Sequence, residues 1–137
     1  MKRIVFSALV LLSLAVQADE LATFNEVAEV VSQGKPITFV INLRECNFEM
    51  PLPVVTASIT PNAVMIINNK RITASDRHFT LDNSLARGVP VFDYNKFDID
   101  SDGSASMKLT MMNAVSYEVL GTHEVKCSLG KGFKVFG

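Results

Sequence analysis

Apolar residues just beyond position 20 recur at steps of three and four, which is the period of a helix. They are Leu21, Phe24, Val27, Ala28 and Val31. A stripe of this kind predicts an amphipathic helix that buries one face. Thr23 and Glu26 form a capping-box sequence at its start, and Gly34 is a typical residue at a helix end. We therefore predict one helix that packs on a sheet.

Beyond Pro36 the apolar positions follow a period of two, which is the period of a strand. In the first half of the chain this pattern predicts strands at 37–43, 54–59, 63–67 and 71–74. The last two are expected to form a hairpin, because Asn68 and Asn69 between them tolerate a left-handed backbone. These segments supply the first part of a predicted antiparallel sheet.

The second half of the chain has the pattern of a strand meander. Strands are predicted at 90–99, 104–112, 117–129 and 133–136. Asp102-Gly103 is a tight-turn sequence, and Gly121 in mid-strand predicts a bulge or a barrel corner. The sum is an α+β fold, in which one N-terminal helix packs on a curved antiparallel sheet or small β-barrel of about seven strands.

The first 18 residues have the composition of a secretory signal peptide. Lys2 and Arg3 precede an apolar run, and Val16 and Ala18 supply small residues at the −3 and −1 positions of a cleavage site. We expect cleavage after Ala18 and a periplasmic or secreted protein. The apolar run is short for a membrane span, and we expect no span after cleavage.

The predicted mature chain, residues 19–137, is long enough for a single domain. Loss of Lys2 and Arg3 from the 13 basic residues leaves 11, against 14 acidic residues, so the mature net charge is −3. Nucleic-acid binding requires clustered lysines and arginines, and no strongly basic run is present. Charge therefore argues against a nucleic-acid partner.

Two cysteines, Cys46 and Cys127, are the only ones in the chain. An even number of cysteines in an oxidising compartment predicts a disulfide between them. The bond would close a loop of about 80 residues, for which chain entropy gives an upper estimate of roughly 4 to 5 kcal/mol. The alternative, a redox or metal-binding thiol pair, lacks a CxxC spacing.

The acidic segment around residue 100 resembles the start of a calcium-binding loop. Asp98, Asp100 and Asp102 alternate before Gly103, as the oxygen ligands of an EF-hand do. Position 12 of such a loop would be Leu109, where the motif requires glutamate. A β-hairpin with an Asp-Gly turn explains the same residues without a metal, so we predict no metal site here and keep these aspartates as weak candidates.

The two histidines are the other candidates for chemistry. Asp76 and His78 are two residues apart, so an extended chain points both to one side, as a carboxylate that orients an imidazole would require. His123 is expected to face inward. If the three met in space, they could form a zinc or copper site or a general base; the simpler interpretation is a pair of hydrogen-bonded structural histidines.

Catalytic and cofactor motifs are lacking. The chain has no nucleophile elbow, zinc-protease helix, P-loop or dinucleotide fingerprint, and we predict no enzyme and no cofactor. Met107, Leu109 and Met111 share one strand face. Such a face is typical of a core, and it is also suited to lining a pocket for a small apolar ligand.

The order of features along the chain resembles the bacterial VirK family. The features are the helix stopped by Gly34, the apolar strand ending at Cys46, Asp76-Arg77-His78-Phe79-Thr80, Pro90-Val91, Asp102-Gly103 and Cys127. The resemblance covers nearly all of 19–137 as one VirK-like domain. It implies a small exported protein associated with virulence or host interaction, and it supplies no catalytic residues.

These observations predict a non-catalytic binding protein with a protein partner, which for a virulence protein would be host-derived. The loop that contains Met50 and Leu52, or a free sheet edge, is the expected contact region. The alternative is a carrier of a small apolar ligand, such as a lipid, inside the barrel. A third hypothesis is a metalloprotein or enzyme that uses Asp76, His78 and His123.

Overall fold

The described part of the chain forms one α-helix, one short 3-10 helix and eight strands. It comprises residues 17–47 and 54–137 of a computed structural model. The helices are α1 (Phe24–Ser32) and the 3-10 helix Leu43–Glu45. In chain order the strands are β1 (Thr38–Asn42), β2 (Thr56–Ile59), β3 (Ala63–Ile67), β4 (Arg71–Thr80), β5 (Val91–Asp100), β6 (Ser104–Asn113), β7 (Val119–Leu129) and β8 (Gly132–Phe136).

All eight strands belong to one sheet, in the order β2-β1-β8-β7-β6-β5-β4-β3. The sheet curls strongly into a half-barrel and carries α1, so the α+β prediction is confirmed. The prediction of about seven antiparallel strands is wrong, since eight are described and β7 and β8 are parallel. Gly130 and Gly132 have φ of 83° and 78°, and this left-handed backbone shifts the chain sideways after β7 so that β8 pairs antiparallel with β1.

Local signals in the sequence set several element boundaries. The Thr23 hydroxyl accepts from the Glu26 backbone N–H at 3.3 Å, and the Glu26 carboxylate accepts from the Thr23 N–H at 2.9 Å. The second bond lowers the pKa of Glu26, since it favours the charged form. Asn68 and Asn69 have φ of 51° and 53°, as the predicted hairpin requires. The capping box and this hairpin are confirmed.

Strands β4 and β7 differ from the predicted segments. β4 continues to Thr80, six residues beyond its predicted end, because it pairs with β5 along its whole length. β7 begins at Val119 and not at residue 117, since Tyr117 has a φ of 60° in a tight turn. The register of β7 against β6 shifts near Gly121, where a bulge was expected.

The core lies between α1 and part of the concave face of the sheet. Three phenylalanines from β1, β5 and β8 meet at its centre: Phe39 lies 4.9 Å from Phe97 and 5.0 Å from Phe133, measured between ring centroids. All three rings are fully buried, as is Val27 of α1. On β4 and β5 the core ends at Ala74 and Phe97, which are paired across the two strands. Beyond these residues the concave face is not filled by α1.

The predicted disulfide between Cys46 and Cys127 is present and joins the end of the 3-10 helix to β7. An isolated bridge between Asn47 and Lys126 continues the same junction. Gly132 packs directly against it, so a Cβ at that position would lie 2.6 Å from the Cys46 sulfur. The disulfide and this packing therefore hold three parts of the chain together at one point: the 3-10 helix that follows β1, strand β7 and strand β8.

Two sequence predictions fall outside the described ranges. Met50 and Leu52, the expected partner contacts, lie outside them, as does most of the predicted signal peptide, residues 1–18. Cleavage after Ala18 thus remains a prediction. Within 17–47 and 54–137, no helix combines the length and the apolar character that a bilayer crossing requires.

The junction at the disulfide can be tested with two matched alanine variants. Gly130→Ala should lower the free energy of unfolding by about 1–2 kcal/mol, because its left-handed backbone disfavours a Cβ; nothing else lies within 4 Å of that Cβ. Gly132→Ala should lose about 1–3 kcal/mol more, since its Cβ would also overlap the Cys46 sulfur. Urea unfolding measures both, and equal losses would contradict the packing described here.

Candidate functional site

A cavity of about 290 Å³ occupies the part of the concave face that α1 does not cover. Its walls are largely apolar and come from the 3-10 helix, the edge strand β2 with the residue before it, and the central strand β6: Leu43, Val55, Ala57, Ile59, Met107 and Leu109. The remaining wall is polar and is formed by β4, β5 and the segment 82–85 between them. The cavity thus has an apolar body and one polar end.

His78 lies at the polar end between two carboxylates. Asp76 and His78 face the concave side of β4, and the Asp76 Oδ2 lies 2.9 Å from the His78 Nδ1. The other ring nitrogen, Nε2, lies 3.6 Å from the Oδ2 of Asp93, which is opposite His78 on β5. The same-side placement predicted for Asp76 and His78 is observed, and the pair is extended by a second aspartate.

Asn83 fixes the position of Asp93. Its side-chain N–H₂ donates to both carboxylate oxygens of Asp93, at 2.9 Å and 2.8 Å. Its own Oδ1 accepts from the backbone N–H of Leu85 at 2.8 Å, which ties the connecting segment to the cavity wall. Both Asn83 and Asp93 are buried. A buried carboxylate whose two oxygens both accept from this one nitrogen is a built feature of the wall, since burial without these contacts would be costly.

Asn95 completes the polar wall. It is 5% exposed, lines the cavity and is paired with Asp76 across the β4–β5 ladder. Within residues 17–47 and 54–137, its side chain makes no hydrogen bond. Sequence reasoning missed Asn83, Asp93 and Asn95. Two of them carried a signal, because Asp93 and Asn95 occupy inward positions of β5 that are otherwise apolar.

The polar end carries an excess of acidic groups. Asp76 and Asp93 are both more than 90% buried, and neither lies within 4 Å of a lysine or arginine nitrogen in the described part of the chain. Asp82, which is exposed, lines the cavity together with Asp93, while Asp76 contacts the lining residue His78. The basic residues that line the cavity are two histidines, His78 and His123. Negative charge therefore predominates in this part of the cavity.

His123 lines the same cavity as His78, on a different strand. It lies on β7 opposite Leu109, and Leu109 in turn lies opposite Asn95. Two strands therefore separate His123 from β4, which carries Asp76. Among the described residues, no three histidine, cysteine, aspartate or glutamate side chains form a group that could hold a metal ion. The zinc or copper hypothesis finds no ligand cluster in the described residues.

Each aspartate of the acidic segment bonds to a different protein group. Asp98 contacts the Lys96 amine at 3.0 Å, and the Asp100 Oδ1 accepts from the Arg71 Nε at 2.9 Å.

Asp102 accepts from the Ser104 hydroxyl at 2.6 Å and from its backbone N–H at 2.9 Å, and these bonds lower the pKa of Asp102. The aspartates flank the β5–β6 turn at Gly103, which has a φ of 86°. The hairpin interpretation is thus confirmed, and the prediction of no metal here remains untested.

A second exposed feature lies on the outer side of the sheet. The rings of Phe79, Phe92 and Tyr117 form an aromatic ladder, with centroids 5.9 Å and 6.2 Å apart. The Arg77 guanidinium lies 5.2 Å from the centroid of Phe92, within the range of a cation–π contact. Phe79 and Tyr117 are 54% and 59% exposed, so the ladder presents aromatic surface to solvent.

Comparisons with known proteins identify the family of the chain and two relatives. The model of the VirK protein family matches residues 20–117. The chain is 34% identical to the uncharacterized protein y4wH of Sinorhizobium fredii (strain NBRC 101917 / NGR234), over 85% of this chain and 81% of that one. It is 30% identical to an uncharacterized protein in the pinF2 3′ region of Rhizobium radiobacter, over 82% of this chain and 78% of that one.

A solved structure shows the same fold. The crystal structure of lpg1832, a VirK family protein from Legionella pneumophila, matches with a TM-score of 0.82 and 59% sequence identity. The match covers 86% of this chain and 98% of that one. The half-barrel described above is therefore shared with a relative of known structure.

The role of Asn83 in holding Asp93 can be tested by its removal. Asn83→Ala should lower the free energy of unfolding by about 2–3 kcal/mol, because it deprives a buried carboxylate of two hydrogen bonds. Ser84→Ala, in the next position of the same segment, should change stability by less than about 0.5 kcal/mol. In an Asp93→Asn background the cost of Asn83→Ala should shrink. A cost that does not depend on residue 93 would contradict the coupling.

Proposed function

The chain belongs to the VirK family, and from that premise we propose that it is an exported, disulfide-stabilised binding protein that holds a small, mainly apolar ligand in its half-barrel cavity. The cavity is the observation that carries this proposal. Its volume of about 290 Å³ is close to the lower end of the range of small-molecule sites, roughly 300–1,000 Å³. Apolar walls with a few convergent polar groups are also the usual composition of such sites.

The geometry of His78 supports binding without catalysis. A general base needs one ring nitrogen oriented by a carboxylate and the other directed at a reacting proton. In His78 both nitrogens face carboxylates, those of Asp76 and Asp93. The imidazole is therefore arranged as a bridge between two acids.

Export is supported by the disulfide, because such bonds persist in oxidising compartments. The signal-peptide sequence at residues 1–18 supports the same compartment. A role in virulence or host interaction follows from the family resemblance. We propose the periplasm or the cell exterior as the place where the ligand is bound.

Filling the cavity tests the proposal directly. Ala57 of β2 lines the cavity, whereas its neighbour Ser58 points to the opposite face of the same strand. Binding of 1-hexanol, a neutral apolar probe, should weaken about tenfold or more in Ala57→Leu, a loss of about 1.4 kcal/mol. Ser58→Leu, the matched control, should bind as the parent does.

Nuclear magnetic resonance titration measures these affinities and maps the shifted residues. Saturable shifts at the cavity walls that disappear in Ala57→Leu support the proposal. Shifts that do not saturate, or that persist in this variant, would exclude the cavity as the binding site.

A protein-interaction role is the second candidate, and the aromatic ladder favours it. Tyr117 adopts a φ of 60°, which is strained for a bulky side chain, while its exposed ring stacks on Phe92. Tyrosine and arginine are enriched among residues that dominate protein–protein binding energy. A strained backbone that presents an exposed tyrosine beside Arg77 and Phe79 is therefore suited to a protein contact.

The ladder can be tested by quantitative capture of proteins from a host-cell extract. Tyr117→Asn keeps a residue that tolerates left-handed backbone but removes the ring, and it should lose the captured partner. Val115→Ser changes a residue that is 81% exposed in the same turn, and it should retain the partner. Equal capture by both variants would exclude the ladder as the contact surface.

A further inference from the structure

We propose that the ligand of the half-barrel cavity carries a primary ammonium group, bound at the polar end by Asp93, Asp76 and Asn95. Its apolar body would lie against the opposite walls, around Ala57 and Leu109. This inference rests on the proposed function and adds the chemical class of the ligand. A neutral lipid or a fatty acid would not match the site.

The first reason is charge. Asp76, Asp82 and Asp93 lie at or beside the cavity wall, and the basic residues that line it are His78 and His123. Asp82 is exposed to solvent, so the negative charge that matters here is that of Asp76 and Asp93. Because Asp76 and Asp93 are buried, water screens this charge weakly, and a cation that entered the cavity would be stabilised. An anionic head group would be repelled.

The second reason is the amide of Asn95. It is 95% buried, it lines the cavity and it makes no hydrogen bond within residues 17–47 and 54–137. The polar atoms of this amide open onto the cavity, so a ligand that enters can supply the hydrogen bonds that the protein does not. The carbonyl oxygen of Asn95 can accept from an N–H donor on the ligand. Asn95 lies two residues from Asp93 on the same face of β5, and it is paired with Asp76 on β4. The oxygen acceptors of these three side chains therefore lie close to one another.

The surroundings select a primary ammonium among cations. A guanidinium binds best through two parallel bonds to one carboxylate, but both oxygens of Asp93 already accept from Asn83. Quaternary ammonium groups are recognised by cages of Trp, Tyr or Phe, and none of these is among the described residues that line this cavity. A primary ammonium is compact and has three donors, which matches three separate acceptors.

Three probes that share a six-carbon chain and differ in their terminal group separate the contributions of the chain and of the terminal group to the binding affinity. They are n-hexylamine, 1-hexanol and hexanoate, titrated calorimetrically into the disulfide-bonded protein at neutral pH. Hexylamine is a cation there and should bind at least tenfold more tightly than hexanol, with hexanoate the weakest. Hexanol that binds as tightly as hexylamine would overturn the ammonium proposal but leave the cavity function standing. No binding by any probe would overturn both.

Substitutions at the acceptors locate the head group. Asp93→Asn should lose most of the preference for hexylamine over hexanol, whereas Asp100→Asn, which removes an outward carboxylate, should retain it. If Asp93→Asn does not fold, Asn95→Leu provides the same test. This variant removes an unpartnered amide, so it should melt at or above the parent's temperature while the preference for the amine falls. An undiminished preference in a folded Asn95→Leu would overturn the role of Asn95.

Discussion

The fold depends on the packing of Phe39, Phe97 and Phe133 against α1, because this core closes one part of the curled sheet and leaves the rest open. Each ring comes from a different strand, so their contact draws together strands that are distant in the sequence. Fully buried aromatic side chains each contribute substantially to stability. The long strands β4 and β5 run beyond this core, and their inward side chains there line a cavity.

Signals that act over a few residues could be predicted from the sequence. The capping box at Thr23, the left-handed Asn68-Asn69 turn and the Gly121 bulge depend on neighbours along the chain, and each is found where it was expected. The disulfide followed from the number of cysteines. The parallel contact of β8 could not be predicted, because it follows from how two left-handed glycines redirect the chain into a gap between other strands.

The candidate site was predictable only in part, for the same physical reason. Asp76 and His78 share a strand, so their spacing alone placed them on one side. Asp93 joins them through the β4–β5 register, and that register was hidden because the polar end of β4 shows no alternation of apolar residues. Asn83 reaches the site from a connecting segment, which periodicity does not describe.

The two ends of β5 differ in the residues that occupy their inward positions. Phe97 and Ile99 occupy inward positions and are fully buried in the core, whereas Asp93 and Asn95 occupy the next inward positions of the same strand. Apolar residues at 93 and 95 would continue the pattern and would avoid the cost of burying an aspartate and of placing an amide in an apolar row. Local rules of folding are most often broken where a protein meets its ligand. The break in this pattern coincides with the open part of the half-barrel, so the chain departs from the pattern that favours stability at the cavity and not in the core.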